Sequence, residues 1–331
     1  MALKIGVLGA GHLGKIHIKC IQLASEQLDL VGFFDTDAAN SDTVVAELGA
    51  KKFDTAEALI EAVDIVDIVT PTLTHFQLAQ IAIKKNKHVF IEKPLTSTVE
   101  EGRELIKIAK KHGVKVQVGH VERFNPAMLA IDGLEVSPMF IEGHRLAMFN
   151  PRGTDVSVVL DLMIHDLDIV LSMIKSPIRE VRANGVSIVS KTPDIANTRI
   201  EFENGAVANL TASRISLKNM RKLRFFQPDA YVSLDFLEKN AQIVRLHDEV
   251  NTTDKANGNV LELQTPSGKK HIEISMPTIE PVNAIKMELI TFAEAILNDT
   301  APKVSIEDGL RALEVAEIIK GKISNQKQQI Q

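Results

Sequence analysis

The chain has 331 residues, 45% of them hydrophobic and 24% charged, with a formal net charge of −5. That length suits about two domains, and the composition is that of an ordinary globular protein. The acidic balance argues against a general nucleic-acid binder, which carries a basic face, and no stretch reaches the roughly 18 uncharged apolar residues of a membrane span. The single cysteine, Cys20, rules out an intrachain disulfide and fits a reducing cytosol. It falls in the first predicted helix and reads as a small buried hydrophobe. The opening run Met1–Leu8 holds Lys4 and leads straight into a glycine turn, unlike a signal peptide. The expectation is a cytoplasmic protein.

Residues 1 to about 122 alternate short apolar runs with helical patterns. The runs are Leu3–Leu8, Leu30–Phe34, Ile65–Val69, Val89–Ile91 and Val114–Val118. Rich in Val and Ile, they read as strands buried on both faces. Helical stretches lie between them: Ala56–Ala62, Phe76–Asn86 and Thr98–His112. Ser97 or Thr98 can cap the last of these, with Glu100 and Glu101 in its first turn. This alternation predicts a parallel, doubly wound sheet.

After about residue 125 the strands follow one another: Met139–Met148, Glu180–Ser190, Thr198–Glu203, Ala206–Ser213, Lys222–Phe226, Tyr231–Phe236 and Gln242–Leu246. Asn204-Gly205 is a two-residue hairpin signal between two of them. One helical segment, Val158–Ile174, interrupts the series. Two helices, Val282–Asn298 and Ser305–Lys322, close the chain, and the polar end Asn325–Gln331 reads as frayed. No internal repeat is visible. The expected second domain is α+β, an open and mostly antiparallel sheet with helices on one face. Its other face calls for a partner, so a homodimer or homotetramer through the open sheet is expected. The expected division is 1–122 for dinucleotide binding and 123–331 for substrate binding and oligomerisation, with the final helices packing back near the first domain.

Gly9-Ala10-Gly11-His12-Leu13-Gly14 follows the first strand and opens a helix, and Asp35 lies 21 positions after Gly14 at the end of the next strand. Gly9 permits the tight turn, Gly11 lets the backbone approach a pyrophosphate, and Gly14 lets helix and strand pack closely. The helix start offers N–H groups and a positive dipole end to phosphates. Asp35 can accept from ribose hydroxyls, and its charge repels a 2′-phosphate. The cofactor expected is NAD rather than NADP.

Val89–Ile91 leads into Glu92-Lys93-Pro94, where proline stops the strand. Ligands of open α/β sheets sit beyond the carboxyl ends of the strands, which puts Lys93 near the nicotinamide. Taken alone, Lys93 reads equally well as a surface lysine. Thr70-Pro71 ends the strand Ile65–Val69 in the same way, and His75 follows. Gly9, Gly11, His12, Leu13, Gly14, Asp35, Thr70, His75, Glu92 and Lys93 form the expected cofactor site.

Val158–Ile174 is apolar almost all round, as a buried helix is. Yet Asp161, His165 and Asp168 fall at i, i+4 and i+7 on one stripe, with Asp166 off it. Either they form a satisfied structural Asp–His pair, or His165 is a general base supported by a carboxylate. No metal site is expected, since neither a cysteine nor a second histidine falls at ligand spacing here.

Taken in order, Gly9–Gly14 with Asp35, Glu92-Lys93-Pro94, and Asp161-Leu162-Met163-Ile164-His165 resemble the glucose–fructose oxidoreductase/inositol dehydrogenase/MocA family. The resemblance implies an N-terminal Rossmann domain, a C-terminal domain on an open sheet, and Lys93, Asp161 and His165 as catalytic residues. Gly119–Pro126, Asp161–Asp168 and Ala230–Asp235 resemble the family's UDP-N-acetylglucosamine 3-dehydrogenase branch. That branch implies oxidation of a nucleotide-sugar hydroxyl to a ketone, with Arg123 and Asn125 joining Lys93, Asp161 and His165 around the sugar. For the pyrophosphate, Lys218, Arg221, Lys222 and Arg152 are basic candidates, read equally well as solvated charges. Other readings remain: a dehydrogenase of a free polyol or inositol, a reductase of a non-sugar substrate, or a non-catalytic dinucleotide-binding regulator of the same fold. A regulator has no need of Lys93, Asp161 and His165 together.

Overall fold

The computed structural model describes residues 2–150, 156–247, 260–265 and 268–330. The strands and helices run in the order β1 (Leu3–Leu8), α1 (His12–Gln22), β2 (Leu28–Phe34), α2 (Ala38–Leu48), α3 (Ala56–Ala62), β3 (Ile65–Ile68), α4 (His75–Lys84), β4 (His88–Glu92), α5 (Val99–His112) and β5 (Val116–Gly119). There follow α6 (Pro126–Leu129), β6 (Phe140–Leu146), a π turn (Val159–Met163) that runs into α7 (Ile164–Met173), β7 (Ile178–Val186), β8 (Ile195–Phe202) and β9 (Val207–Ser213). The chain continues through β10 (Met220–Phe226), β11 (Ala230–Asp235), β12 (Asn240–His247), β13 (Val260–Thr265), β14 (Gly268–Ser275), α8 (Ala284–Leu297) and α9 (Ile306–Ile330).

Two compact units divide these elements. The first holds the residues up to Phe124 and also Asn283–Glu314. Its five strands are all parallel, in the order β2-β1-β3-β4-β5. Strand order reverses at β1, whose neighbours are β2 and β3, so a crevice opens at the carboxyl ends there. Apolar side chains bury both faces. Ile5, Val7, Phe33 and Phe90 meet Ile18 and Ile21 of α1 and Leu289 and Phe292 of α8. On the other face Leu8, Val66, Ile68, Val89, Ile91 and Val118 meet α3, α4 and α5. Each such Leu, Ile or Phe contributes about 1.5–3 kcal/mol. The sequence reading counts 283–314 within the second domain, with the final helices packing back near the first. The structure places it in the first unit, because α8 supplies the apolar cover of one sheet face.

Local chemistry fixes the helix ends. Thr98 accepts from Glu101 N and Glu101 reaches back to Thr98 N at 3.1 Å, a full capping box on α5. Gly113 ends that helix at φ +65°. The sequence reading did not include α2. It starts on Asp37, which accepts from Asn40 N at 3.0 Å.

The second unit carries a nine-stranded sheet among the described residues, in the order β13-β14-β12-β11-β10-β6-β9-β8-β7. All its neighbours are antiparallel except β6 and β9. β13 and β14 extend it beyond the expected strands, and their alternating Leu261, Leu263, Ile272 and Ile274 carry the period-two signal. The hairpin at Asn204-Gly205 is present with a longer loop, Gly205 standing at φ +87°. α9 continues to Ile330 rather than fraying at Asn325, since Lys and Gln are good helix formers and no proline interrupts them. No described helix is long and apolar enough to cross a membrane.

Candidate active site

In the first unit the glycine turn joins β1 to α1. Gly9 stands at φ +90°, and a Cβ there would lie 2.8 Å from Val69 O. A Cβ on Gly14 would lie 2.0 Å from Gly9 O, so neither of these two positions tolerates a side chain. Gly11 is different: a Cβ there would meet nothing within 4 Å. Its backbone therefore faces open space, as a cradle for a bulky anion requires. Gly11, His12 and Leu13 are exposed, and Gly11 caps α1 without any side-chain acceptor. The first N–H groups of the helix thus remain available to phosphates. Asp35, half-buried just past β2, accepts from Ala10 N at 2.6 Å and from Asp37 N at 2.8 Å. Its carboxylate is held beside the turn. These features fit a dinucleotide.

Lys93, half-buried, follows β4 at its carboxyl end, and the peptide to Pro94 is cis. The ends of β3 and β4 are tied together by His75. The His75 ring meets Pro94 O at 3.0 Å through Nδ1 and Thr70 O at 2.9 Å through Nε2. Burial pushes its pKa down, while the two carbonyls and the charge of Glu92 act the other way. His75 is thus a clamp between the two strand ends. Thr70 stands at the crevice, its Oγ1 2.7 Å from that of Thr74. Glu92 is buried and turned inward. One oxygen lies 3.2 Å from His17 Nε2, and the other accepts from Lys93 N at 3.2 Å.

In the second unit the expected helix begins as a π turn, Val159–Met163, before α7 proper. Such turns gather at functional sites. Asp161 stands in the π turn, and His165 and Asp168 stand in α7. Asp161 and His165 are half-buried, whereas Asp168 is only 1% exposed. Asp166, beside His165, meets Arg145 of β6. Arg145 Nε lies 3.1 Å from both carboxylate oxygens and Nη2 lies 2.7 Å from Oδ1. Both residues are buried, so this forked pair pins α7 to the sheet next to His165.

The remaining expected residues separate. Asn125 is committed to the fold of the second unit: it caps α6 by accepting from Ala127 N at 3.0 Å and donates to Phe236 O at 3.0 Å. Arg123 lies half-buried in the short turn Val121–Phe124 of the first unit. Lys218, Arg221 and Lys222 are exposed, and Lys222 pairs with Asp235 at 3.1 Å. Arg152 lies outside the described residues.

Residues 3–120 match the oxidoreductase family with an NAD-binding Rossmann fold, and residues 142–227 match the GFO/IDH/MocA C-terminal domain. The UDP-N-acetylglucosamine 3-dehydrogenase of Acidithiobacillus ferrooxidans is 40% identical over 242 residues, 73% of this chain and 76% of that enzyme. The chain belongs to the GFO/IDH/MocA oxidoreductase family. A solved structure of the Acidithiobacillus ferrooxidans enzyme superimposes with a TM-score of 0.86 at 33% identity, covering 98% of each chain. A second relative, the scyllo-inositol 2-dehydrogenase (NAD(+)) of Bacillus subtilis, is 32% identical over 231 residues, 64% of this chain and 68% of that one.

Within this GFO/IDH/MocA oxidoreductase, sequence reasoning passed over four ionisable residues. Asp67 sits inside the run Ile65–Val69, read as an unbroken apolar strand, and is fully buried. A carboxylate in a buried strand is itself a signal, because it demands a partner. His17 on α1 is that partner, at 2.9 Å. Glu288 of α8 is fully buried, and Arg145 holds Asp166. Each is an ionisable group at an apolar position of its element.

Proposed function

We propose that this oxidoreductase uses NAD to oxidise a nucleotide-sugar hydroxyl to a ketone, with carbon 3 of UDP-N-acetylglucosamine as the reacting position. The observation that carries this reading is the 40% identity to the Acidithiobacillus ferrooxidans enzyme over 73% of the chain. The bound nicotinamide supplies the acceptor for the hydride that leaves the sugar carbon. His165 takes the hydroxyl proton as general base. Lys93 donates to the same oxygen and stabilises the charge that develops on it. Asp161 orients the imidazole or holds a neighbouring hydroxyl. Glycines 9, 11 and 14 admit the pyrophosphate, and Asp35 places a negative charge where NADP would carry its 2′-phosphate.

The test begins by identifying any dinucleotide that purifies with the protein. NAD is then added with UDP-N-acetylglucosamine, inositols or aldoses, and NADH absorbance and the ketone product are followed. Turnover of the nucleotide sugar is expected. Turnover of inositols alone overturns the substrate reading, and NAD binding with no product from any substrate overturns the enzymatic one.

We also infer a homodimer or homotetramer built on the open face of the nine-stranded sheet. Phe140, Phe226 and Tyr231 stack there across β6, β10 and β11, on the face opposite Arg145 and α7. Light scattering that returns a monomer mass at micromolar concentration overturns this inference.

A further inference from the structure

A buried polar cluster lies in the first unit beneath Glu92-Lys93, and hydride transfer makes no use of it. Asp67 of β3, Phe90 of β4 and Gln117 of β5 are register partners, so they share one face of the sheet with Glu92. Phe90 packs on that face against His17 of α1 and Phe292 of α8. His17 therefore stands between Asp67, at 2.9 Å from Nδ1, and Glu92, at 3.2 Å from Nε2. Glu288 enters from α8. Ligand atoms of His17, Glu92 and Glu288 all lie within 4.8 Å of one another. Among the described residues, neither oxygen of Glu288 has a hydrogen-bond partner, although its side chain is fully buried. Gln117 donates to the Glu288 backbone carbonyl at 2.7 Å, which leaves the carboxyl to the cluster.

Acidic groups outnumber basic ones in this cluster, three carboxyls to one imidazole. Burial opposes a charge on His17, but Asp67 and Glu92 outweigh it and hold the imidazole pKa well above its usual value. His17 then supplies one positive charge facing Asp67 and Glu92, and burial pushes the Asp67 carboxyl up although His17 opposes it. The Cys20 thiol, also on α1, is pushed up by burial and stays neutral. An ionised Glu288 would make three carboxylates against one imidazolium in a dry site. Carboxylates that share such a site do not all ionise.

We propose that Glu288 is a positioning residue: its carboxyl stays protonated, packs against the His17–Glu92 pair without adding a third negative charge, and so holds the Glu92-Lys93 backbone at the cofactor end of β4. The link to Lys93 is the bond from its N–H to Glu92 Oε2. Gly119 leaves the room that the Glu92 carboxylate needs, since a Cβ there would lie 2.8 Å from Oε1. Burial, with the negative charge of Glu92 beside it, also pushes the Glu288 carboxyl well above the usual carboxylate range.

The tests are Glu288→Gln, a neutral isostere, and Glu288→Ala. A group whose folded pKa is raised contributes stability in full below its unfolded value, and loses it as pH rises through the folded value. The Glu288 contribution to stability therefore falls as pH rises above 4.5, the ordinary value for the group. Glu288→Gln flattens that slope by up to one proton, and removes an infrared carbonyl band of a protonated acid. Glu288→Ala lowers kcat about ten- to a hundredfold with little change in KM, and Glu288→Gln restores most of it. The kcat arm rests on the catalytic reading of Lys93. An enzyme inert toward every substrate overturns that reading, and the pH slope and infrared band then decide the role of Glu288. Equal slopes in wild type and Glu288→Gln, an unchanged infrared band, wild-type kcat in Glu288→Ala, or a stoichiometric divalent metal by elemental analysis would each overturn the proposal.

Discussion

The two units bury ionisable groups beside their candidate catalytic residues in different ways. In the second unit Arg145 meets Asp166 through a forked contact, one full charge against one, and the pair holds α7 beside His165. In the first unit a single imidazole, His17, faces Asp67 and Glu92 with Glu288 close by, so acids outnumber bases and a proton on Glu288 lessens the excess. The closed pair sets one charge against one within two side chains, and its guanidinium keeps its charge. The open cluster changes its energy with pH. Rigidity beside a catalytic group can thus come from complete charge pairing or from a trapped proton, and the two respond to different perturbations.

The groups that each device serves give the strongest contrast. Lys93→Ala should lower kcat by ~10²–10⁴-fold and affect NAD binding far less. Steady-state kinetics with fluorescence titration of NAD separate the two effects, and wild-type-like turnover would sink the assignment. Next in size is the closed pair itself. Arg145→Met strands Asp166 as a buried charge, which should cost about 3–5 kcal/mol in urea denaturation. The double variant Arg145→Met with Asp166→Leu removes the charge as well and should recover most of that loss. If the double variant is no more stable than the single one, Arg145 is holding more than Asp166.

Much of the first unit was legible from the sequence, because its signals are local. The glycine turn, the Thr98 cap and the strand that ends before Lys93 each depend on residues within a few positions of one another. Sites built from distant segments were not legible. Glu288 lies on a helix read as part of the other domain, and only the cover it gives the sheet brings it near Glu92. Asp67 was read past because four apolar neighbours surround it in Ile65–Val69. The regular spacing of Asp161, His165 and Asp168 suggested one stripe, but a π turn cannot be foreseen from an α-helical period. Asn125, expected beside the sugar, also serves the backbone: its amide caps α6 and donates to Phe236 O. Short polar side chains at helix starts serve the backbone first.

A smaller perturbation probes the open cluster. Gly119→Ala places a methyl carbon 2.8 Å from Glu92 Oε1 without asking for an unusual backbone angle. The carboxylate must shift, at about 1–3 kcal/mol. Because Glu92 also holds Lys93 N, the variant should lose activity along with stability. A loss of stability alone, with kcat unchanged, would detach the cluster from the site.

Asp35 can act by charge or by shape, and there the differences are slight. Its carboxylate both orders the turn, by accepting from Ala10 N, and sets a negative charge beside it. Asp35→Ala removes both properties. Asp35→Asn keeps an oxygen that can accept from Ala10 N and removes only the charge. If the charge selects NAD, both variants should narrow the NAD-to-NADP affinity gap, the Asp35→Asn variant by about 1 kcal/mol, roughly fivefold. If Asp35→Asn still discriminates as wild type does while Asp35→Ala does not, the geometry of the turn is the selector. In that case Asp35 belongs with the groups that hold backbone, like Glu92 and Asp166, rather than with those that meet a ligand.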